Sequence, residues 1–123
     1  MKNLEALQTE KNYLEGMDWL SKQDARNALL CFEKAVRANA DHYIAWNNIG
    51  VLLFHAAYHP EAEKAFKRAL QIEPSYIDAY INIFDLFKSK SQVTEARDIL
   101  SRLKDVDPSN AQLAKMEASL QTK

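Results

Sequence analysis

Apolar residues recur at spacings of three and four along most of the chain, as in Ala28, Phe32 and Ala35 or Ala62, Phe66 and Ala69. That is the period of a helix with one buried face. Only two glycines and three prolines interrupt the pattern. The chain therefore reads as all-α, with about seven helices at roughly 10–21, 25–38, 44–56, 60–71, 78–89, 93–104 and 111–123. Local signals mark the breaks between them. Asp24 can accept backbone N–H bonds at the start of the second helix. Pro60 suits a first helical turn, where a missing donor costs nothing. Pro74 and Pro108 end helices and start the turn into the next unit.

A second period of 34 residues overlies the first. Gly16, Gly50 and Phe84 share it, as do Ala28, Ala62 and Ala96, then Phe32, Phe66 and Leu100. The same register aligns Trp19 with Leu53 and Phe87, Ala35 with Ala69 and Leu103, Ala40 with Pro74 and Pro108, and Asn12 with Trp46 and Tyr80. Read from Trp46, the middle copy runs W-x-x-I-G-x-x-L, then Ala62, Phe66, Ala69 and Pro74, which resembles the tetratricopeptide repeat (TPR) signature. The resemblance covers about nine-tenths of the chain. It implies a right-handed α-solenoid of antiparallel helix pairs, the TPR superhelix, as a single domain over 1–123. The repeats would span 9–42, 43–76 and 77–110, and a capping helix would follow at 111–123.

Small residues at the Gly16/Gly50 and Ala28/Ala62/Ala96 positions let two helix backbones approach closely, with Phe32 or Phe66 filling the space beside them. The third copy breaks this rule with Phe84 and Leu103, which predicts a wider or re-angled helix pair. Asn12 and Glu15 stand where later copies carry Trp46 and Ile49 or Tyr80 and Ile83, so a polar end face with no upstream repeat is expected. Leu113, Met116 and Leu120 form one stripe, as expected of a helix that covers the last repeat.

Charge narrows the function classes. Sixteen basic and seventeen acidic residues leave a net charge of −1, so no broad field favours nucleic acid or an anionic membrane. The first residues lack the apolar run of a signal peptide, and no later stretch could span a bilayer, so a soluble, cytoplasmic protein is expected. A lone cysteine, Cys31, forms no intramolecular disulfide. Lys34, Arg68 and Arg102 recur near helix ends where cations meet unpaired carbonyls. Neighbouring Glu33, Glu73, Asp105 and Asp107 blunt any basic stripe, so RNA is not expected as a partner.

The resemblance also places a site. In this family the first helix of each pair lines a concave surface. Here the lining would be Tyr13, Leu14, Met17 and Leu20, then Asn47, Asn48, Val51, Phe54 and His55, then Ile81, Asn82, Asp85 and Lys88. Asn48 and Asn82 occupy one wall at repeat spacing, and an amide that donates and accepts can hold an extended peptide backbone. The implied function is a protein interaction adaptor for a peptide segment of a partner, with inter-helix packing as the competing role of the apolar positions. A subset of the family grips chaperone C-termini with two lysines, an arginine and two asparagines. The corresponding residues here are Tyr13, Met17, Asn48, Asp78 and Asn82, so only Asn48 agrees and Asp78 would repel a carboxylate.

Catalytic and metal chemistry find little footing. His55 and His59 are four apart, but Pro60 follows and no further ligand lies near in sequence, so no metal or cofactor is expected. No phosphate loop, H-E-x-x-H or nucleophile elbow occurs, and Cys31 has no base placed beside it, so an enzyme is not expected. An alternative function is self-association through Leu4 and Leu7 or through Leu113, Met116 and Leu120. Secretion chaperones similar to this chain use an N-terminal dimer contact. The eight-residue extension before the first repeat is short for that, which favours a monomer.

Overall fold

The computed structural model describes residues 2–121, with side chains from residue 4. Its elements are α1 (Lys2–Ser21), α2 (Ala25–Ala38), α3 (Tyr43–His55), α4 (His59–Ile72), α5 (Ile77–Ser89), α6 (Val93–Val106) and α7 (Leu113–Gln121). They fall into two compact units, Met1–Pro74 holding α1–α4 and Ser75–Lys123 holding α5–α7. Helices pair in sequence, α1 with α2, α3 with α4 and α5 with α6, while α7 packs on α6. The fold is an all-α helical repeat, and no described helix is long and apolar enough to cross a membrane.

Caps account for several of the starts. Asp24 Oδ1 accepts from the Asn27 N–H at 3.0 Å and Oδ2 from the Asn27 amide at 2.9 Å. His42 caps α3 in the same way, its Nδ1 accepting from the Ala45 N–H at 3.1 Å, a role the sequence did not suggest. Pro60 sits in the first turn of α4. Pro74 and Pro108 each stand two residues beyond a helix end, Ile72 and Val106.

The turns inside the pairs share one geometry that no glycine advertises. Gln23, Ala57 and Ser91 have φ of 59°, 68° and 59°, the described residues in the left-handed region, and they lie at the repeat interval. After each one the chain closes back onto the helix, as where Asp24 N–H bonds Trp19 C=O at 2.9 Å, Tyr58 bonds Leu53 at 2.9 Å and Gln92 bonds Phe87 at 2.8 Å. Those bonds satisfy the carbonyls that a helix end leaves open, which offsets the cost of a side chain at positive φ.

In the first unit the core is built on close helix approach. Phe32, Phe66, Ala28, Ala35, Ala62 and Ala69 are fully buried. A Cβ on Gly16 would stand 2.6 Å from Phe32 Cε1, and one on Gly50 2.5 Å from Phe66 Cε1. Each ring thus occupies the space where a first-helix side chain would be. In the second unit the aromatic has changed sides. Phe84 (1% exposed) fills the contact from the first helix and Leu100 (9%) answers it from the second, with Leu103 (0%) and Met116 (7%) beside them. The α5–α6 pair matches α3–α4 at 13 and 14 residues, yet the two backbones approach each other closely at fewer points.

Three expectations change. The first helix begins at Lys2 rather than near residue 10, because Leu4, Glu5, Ala6, Leu7 and Gln8 are helix formers with no breaker among them. The end face at Asn12 is not open. Asn12 and Thr9 are 8% and 4% exposed, with Asn12 Oδ1 accepting from Gln8 Nε2 at 3.2 Å and Thr9 Oγ1 donating to Glu5 C=O at 2.9 Å. The last helix starts at Leu113, two residues later than expected, and residues 122–123 lie outside the described residues.

Candidate functional site

In the first unit, the candidate residues come from α1 and α3. Met17 is 40% exposed and accepts, through Sδ, a hydrogen bond from Asn48 Nδ2 at 3.7 Å. A thioether is a weak acceptor, so this bond holds the amide loosely. Asn48 is half-buried and Leu14 is 56% exposed. One position along α3, Asn47 is only 5% exposed. It does not line a surface, because successive helical residues are about 100° apart and the turn that presents Asn48 carries Asn47 inward.

Tyr13 and Leu20 are half-buried and pack against the core. The Tyr13 ring lies 5.9 Å from Phe32 and 4.9 Å from His42 between centroids, which fixes it as part of the wall. Toward the end of α3, Val51 and Phe54 are half-buried and His55 is exposed. Phe54 stacks on His55 at 5.8 Å and meets His59 edge-on at 5.4 Å, so the two histidines flank a ring. Among the described residues no three His, Cys, Asp or Glu side chains stand within reach of one metal ion.

In the second unit, a cavity of about 230 Å³ opens between α5 and α7. Ile81, Phe84, Asp85 and Lys88 line one side; Gln112, Lys115, Met116 and Ser119 line the other. Burial there pushes the Asp85 carboxyl above its ordinary pKa, and the Lys88 charge opposes the rise. Asn82 is half-buried and engaged in an interaction of its own. The contribution of Lys115 and Ser119 was not read from the sequence, where Leu113, Met116 and Leu120 gave only a covering stripe. Lys115 and Ser119 each sit one residue before a position of that stripe, Met116 and Leu120, which is the signal that was present.

The remaining candidates are occupied locally. Arg102 lies over the Tyr80 ring at 5.6 Å, while Arg68 reaches Gln71 at 3.4 Å and Asp41 at 3.8 Å. Cys31 is half-buried; burial, then the Glu15 charge, raises its pKa against a weaker pull from Lys34. A thiol held protonated in this way is a poor nucleophile. Asp78 is exposed in the first turn of α5.

Models of the tetratricopeptide repeat match residues 13–77 and, separately, 56–120. The peroxisomal targeting signal receptor of Saccharomyces cerevisiae is 33% identical over 81 residues, 66% of this chain, which spans 13% of that receptor's length. Among solved structures, the Arabidopsis OM64 TPR domain superposes with a TM-score of 0.87 at 16% identity, covering 95% of this chain and 97% of that one. The first TPR of Spaghetti (RPAP3), bound to the HSP90 peptide SRMEEVD, gives 0.81 at 18% identity over 94% and 98%. At such identities the solved structures speak for the fold.

Proposed function

The chain belongs to the tetratricopeptide repeat family, and from that premise we propose that it is an interaction adaptor holding a peptide segment of a partner protein in the concave groove of its first helices. The observation that carries this reading is the Met17–Asn48 pair. An exposed thioether and a half-buried amide, from neighbouring first helices, make only a weak mutual contact at 3.7 Å. A peptide backbone is a better partner for that amide than sulfur is, and Met17 adapts to whatever side chain arrives. A targeting signal receptor among the relatives and a peptide-bound structure of the same fold support it.

In this reading Met17, Leu20, Val51 and Phe54 of the first unit supply apolar contact beside Tyr13 and His55 while Asn48 bonds the peptide backbone, and in the second unit Asn82 is the corresponding backbone partner, with Ile81, Asp85 and Lys88 for side-chain contact. Asn47 is left out because it is buried. Residues 1–123 act as one binding domain, and the lone, protonated thiol of Cys31 suits the reducing cytoplasm. The heat-shock carboxylate clamp has no counterpart in Tyr13, Met17 and Asp78, so the peptide SRMEEVD should not bind in its usual manner.

The test is selection of peptides from a display library, followed by titration against wild type, Asn48→Ala and a Met17→Glu, Phe54→Glu double variant. The selected peptide should lose about tenfold or more in affinity with either variant. Helicity and melting must stay close to wild type. Unchanged affinity in folded variants would remove the first helices of the first unit from the site.

A further inference from the structure

The cavity in the second unit has an apolar floor and a charged mouth. Each of its walls is one face of a helix, because the lining residues of α5 and of α7 follow one another at spacings of three and four. Phe84 and Met116 are buried and Ile81 is half-buried, whereas Asp85, Lys88 and Lys115 are exposed. Helix α7 packs on α6, and another of its faces frames the cleft with α5. Among the described residues no carboxylate stands within ion-pair distance of Lys88 or Lys115, whereas Lys22, Lys67 and Arg68 are each paired. The chain as a whole carries a net charge of −1, so an excess of cations at this mouth is a local feature.

We propose that this cavity takes the side chain of an acidic residue of the bound segment, glutamate above all, with its methylenes on the floor and its carboxylate at the Lys88 and Lys115 ammoniums. The proposal rests on the adaptor reading above and adds the residue class that the second unit selects. Size and charge both point to this occupant. At about 230 Å³ the cavity is smaller than the roughly 300–1,000 Å³ of small-molecule sites, so it suits a single side chain. Two ammoniums against one carboxylate attract an anion, and the apolar floor favours an anion that brings its own methylenes over a bare ion. A basic side chain meets the converse balance, one attraction against two repulsions. Asp85 repels the incoming carboxylate and so limits how tightly the pocket holds it. The positions that correspond to the chaperone clamp, Tyr13, Met17, Asn48, Asp78 and Asn82, do not line this cavity.

Peptide display against the full chain tests this. Selections on wild type should enrich Asp or Glu at one aligned position. In a synthetic copy of the selected peptide, changing that residue to its amide should weaken binding about fivefold, the scale of an exposed ion pair. Lys88→Ala with Lys115→Ala should weaken the acidic peptide as much and leave the amide peptide unchanged. Asp85→Asn should tighten the acidic peptide about threefold. Lys88→Glu with Lys115→Glu should select Lys or Arg at the same position. All three side chains are exposed, so circular dichroism should not change. Peptides that depend on Met17 and Phe54 but show no acidic position, or whose acidic residue is indifferent to the lysines, overturn the pocket and leave the adaptor reading standing. Peptides that need the lysines yet ignore Met17→Glu, Phe54→Glu support the pocket and remove the first unit from the site. Weaker binding by Asp85→Asn would mean that the pocket holds a donor instead, which overturns the proposal, and a library that yields no binder overturns both readings.

Discussion

The α3–α4 and α5–α6 pairs have equal lengths and a left-handed turn residue at the same repeat position, Ala57 and Ser91, yet they fill their interfaces in opposite ways. In the first, Gly50 removes a side chain so that Phe66 can enter from the second helix. In the second, Phe84 enters from the first helix and Leu100 replaces the ring, while Leu103 stands where Ala69 did. All of these side chains are buried, so the third pair carries more side-chain volume between its helices. Its backbones accordingly approach closely at fewer points. What the repeat constrains is a filled interface and a fixed turn; which helix supplies the bulk is free to vary, and so is the separation that results.

Phe84→Ala should have the largest effect. The ring is 1% exposed, and its removal should cost about 3–5 kcal/mol, read from urea or thermal unfolding. Gly50→Ala comes next. The new Cβ would meet a fully buried ring at 2.5 Å, and overpacking of that kind costs about 1–3 kcal/mol, partly offset by about 1 kcal/mol of helix propensity. The comparison is sharpened by adding Phe66→Leu, the residue that the third pair uses at this position. The double variant should then be more stable than the sum of the single effects by at least about 0.5 kcal/mol. Simple additivity would mean that the glycine serves some purpose other than making room for the ring.

Much of this was legible beforehand, because packing residues that recur at a fixed interval report the interface they share. Gly16 with Phe32 and Gly50 with Phe66 were read as close-approach pairs, and the Cβ distances agree. The turns were not legible, since Gln23, Ala57 and Ser91 adopt positive φ without glycine and tertiary bonding outweighs local preference. At the candidate site, the family resemblance placed Asn47 beside Asn48 among the lining residues, and only the rotation of α3 separates them. The cavity beside Asp85 escaped because α7 is far away in sequence, and burial of Met116 sets which of its polar residues face α5. Leu4 and Leu7, exposed on α1, precede the first repeat, where the interval is silent.

The smallest effects separate the units by charge. Asp24, in the first unit, is held below its ordinary value of 3.8 by the Asn27 backbone N–H, then by the Asn27 side chain and Arg26. Its unfolded form therefore binds a proton first as pH falls, and the stability it contributes is present above that value and lost as pH falls through the folded pKa. Asp85, in the second unit, is raised by burial despite Lys88, so the folded state takes the proton first. Its contribution is best below 3.8 and is lost as pH rises through the raised pKa. Both groups meet solvent, which keeps the effects small. Urea midpoints from about pH 2 to about pH 7 should show Asp24→Asn falling below wild type toward neutrality, with the cap itself kept by the amide. Asp85→Asn should rise above wild type over the same range. Difference curves with the same sign for the two variants would show that burial at α5 does not set the Asp85 titration, and the contrast between the units would then rest on packing alone.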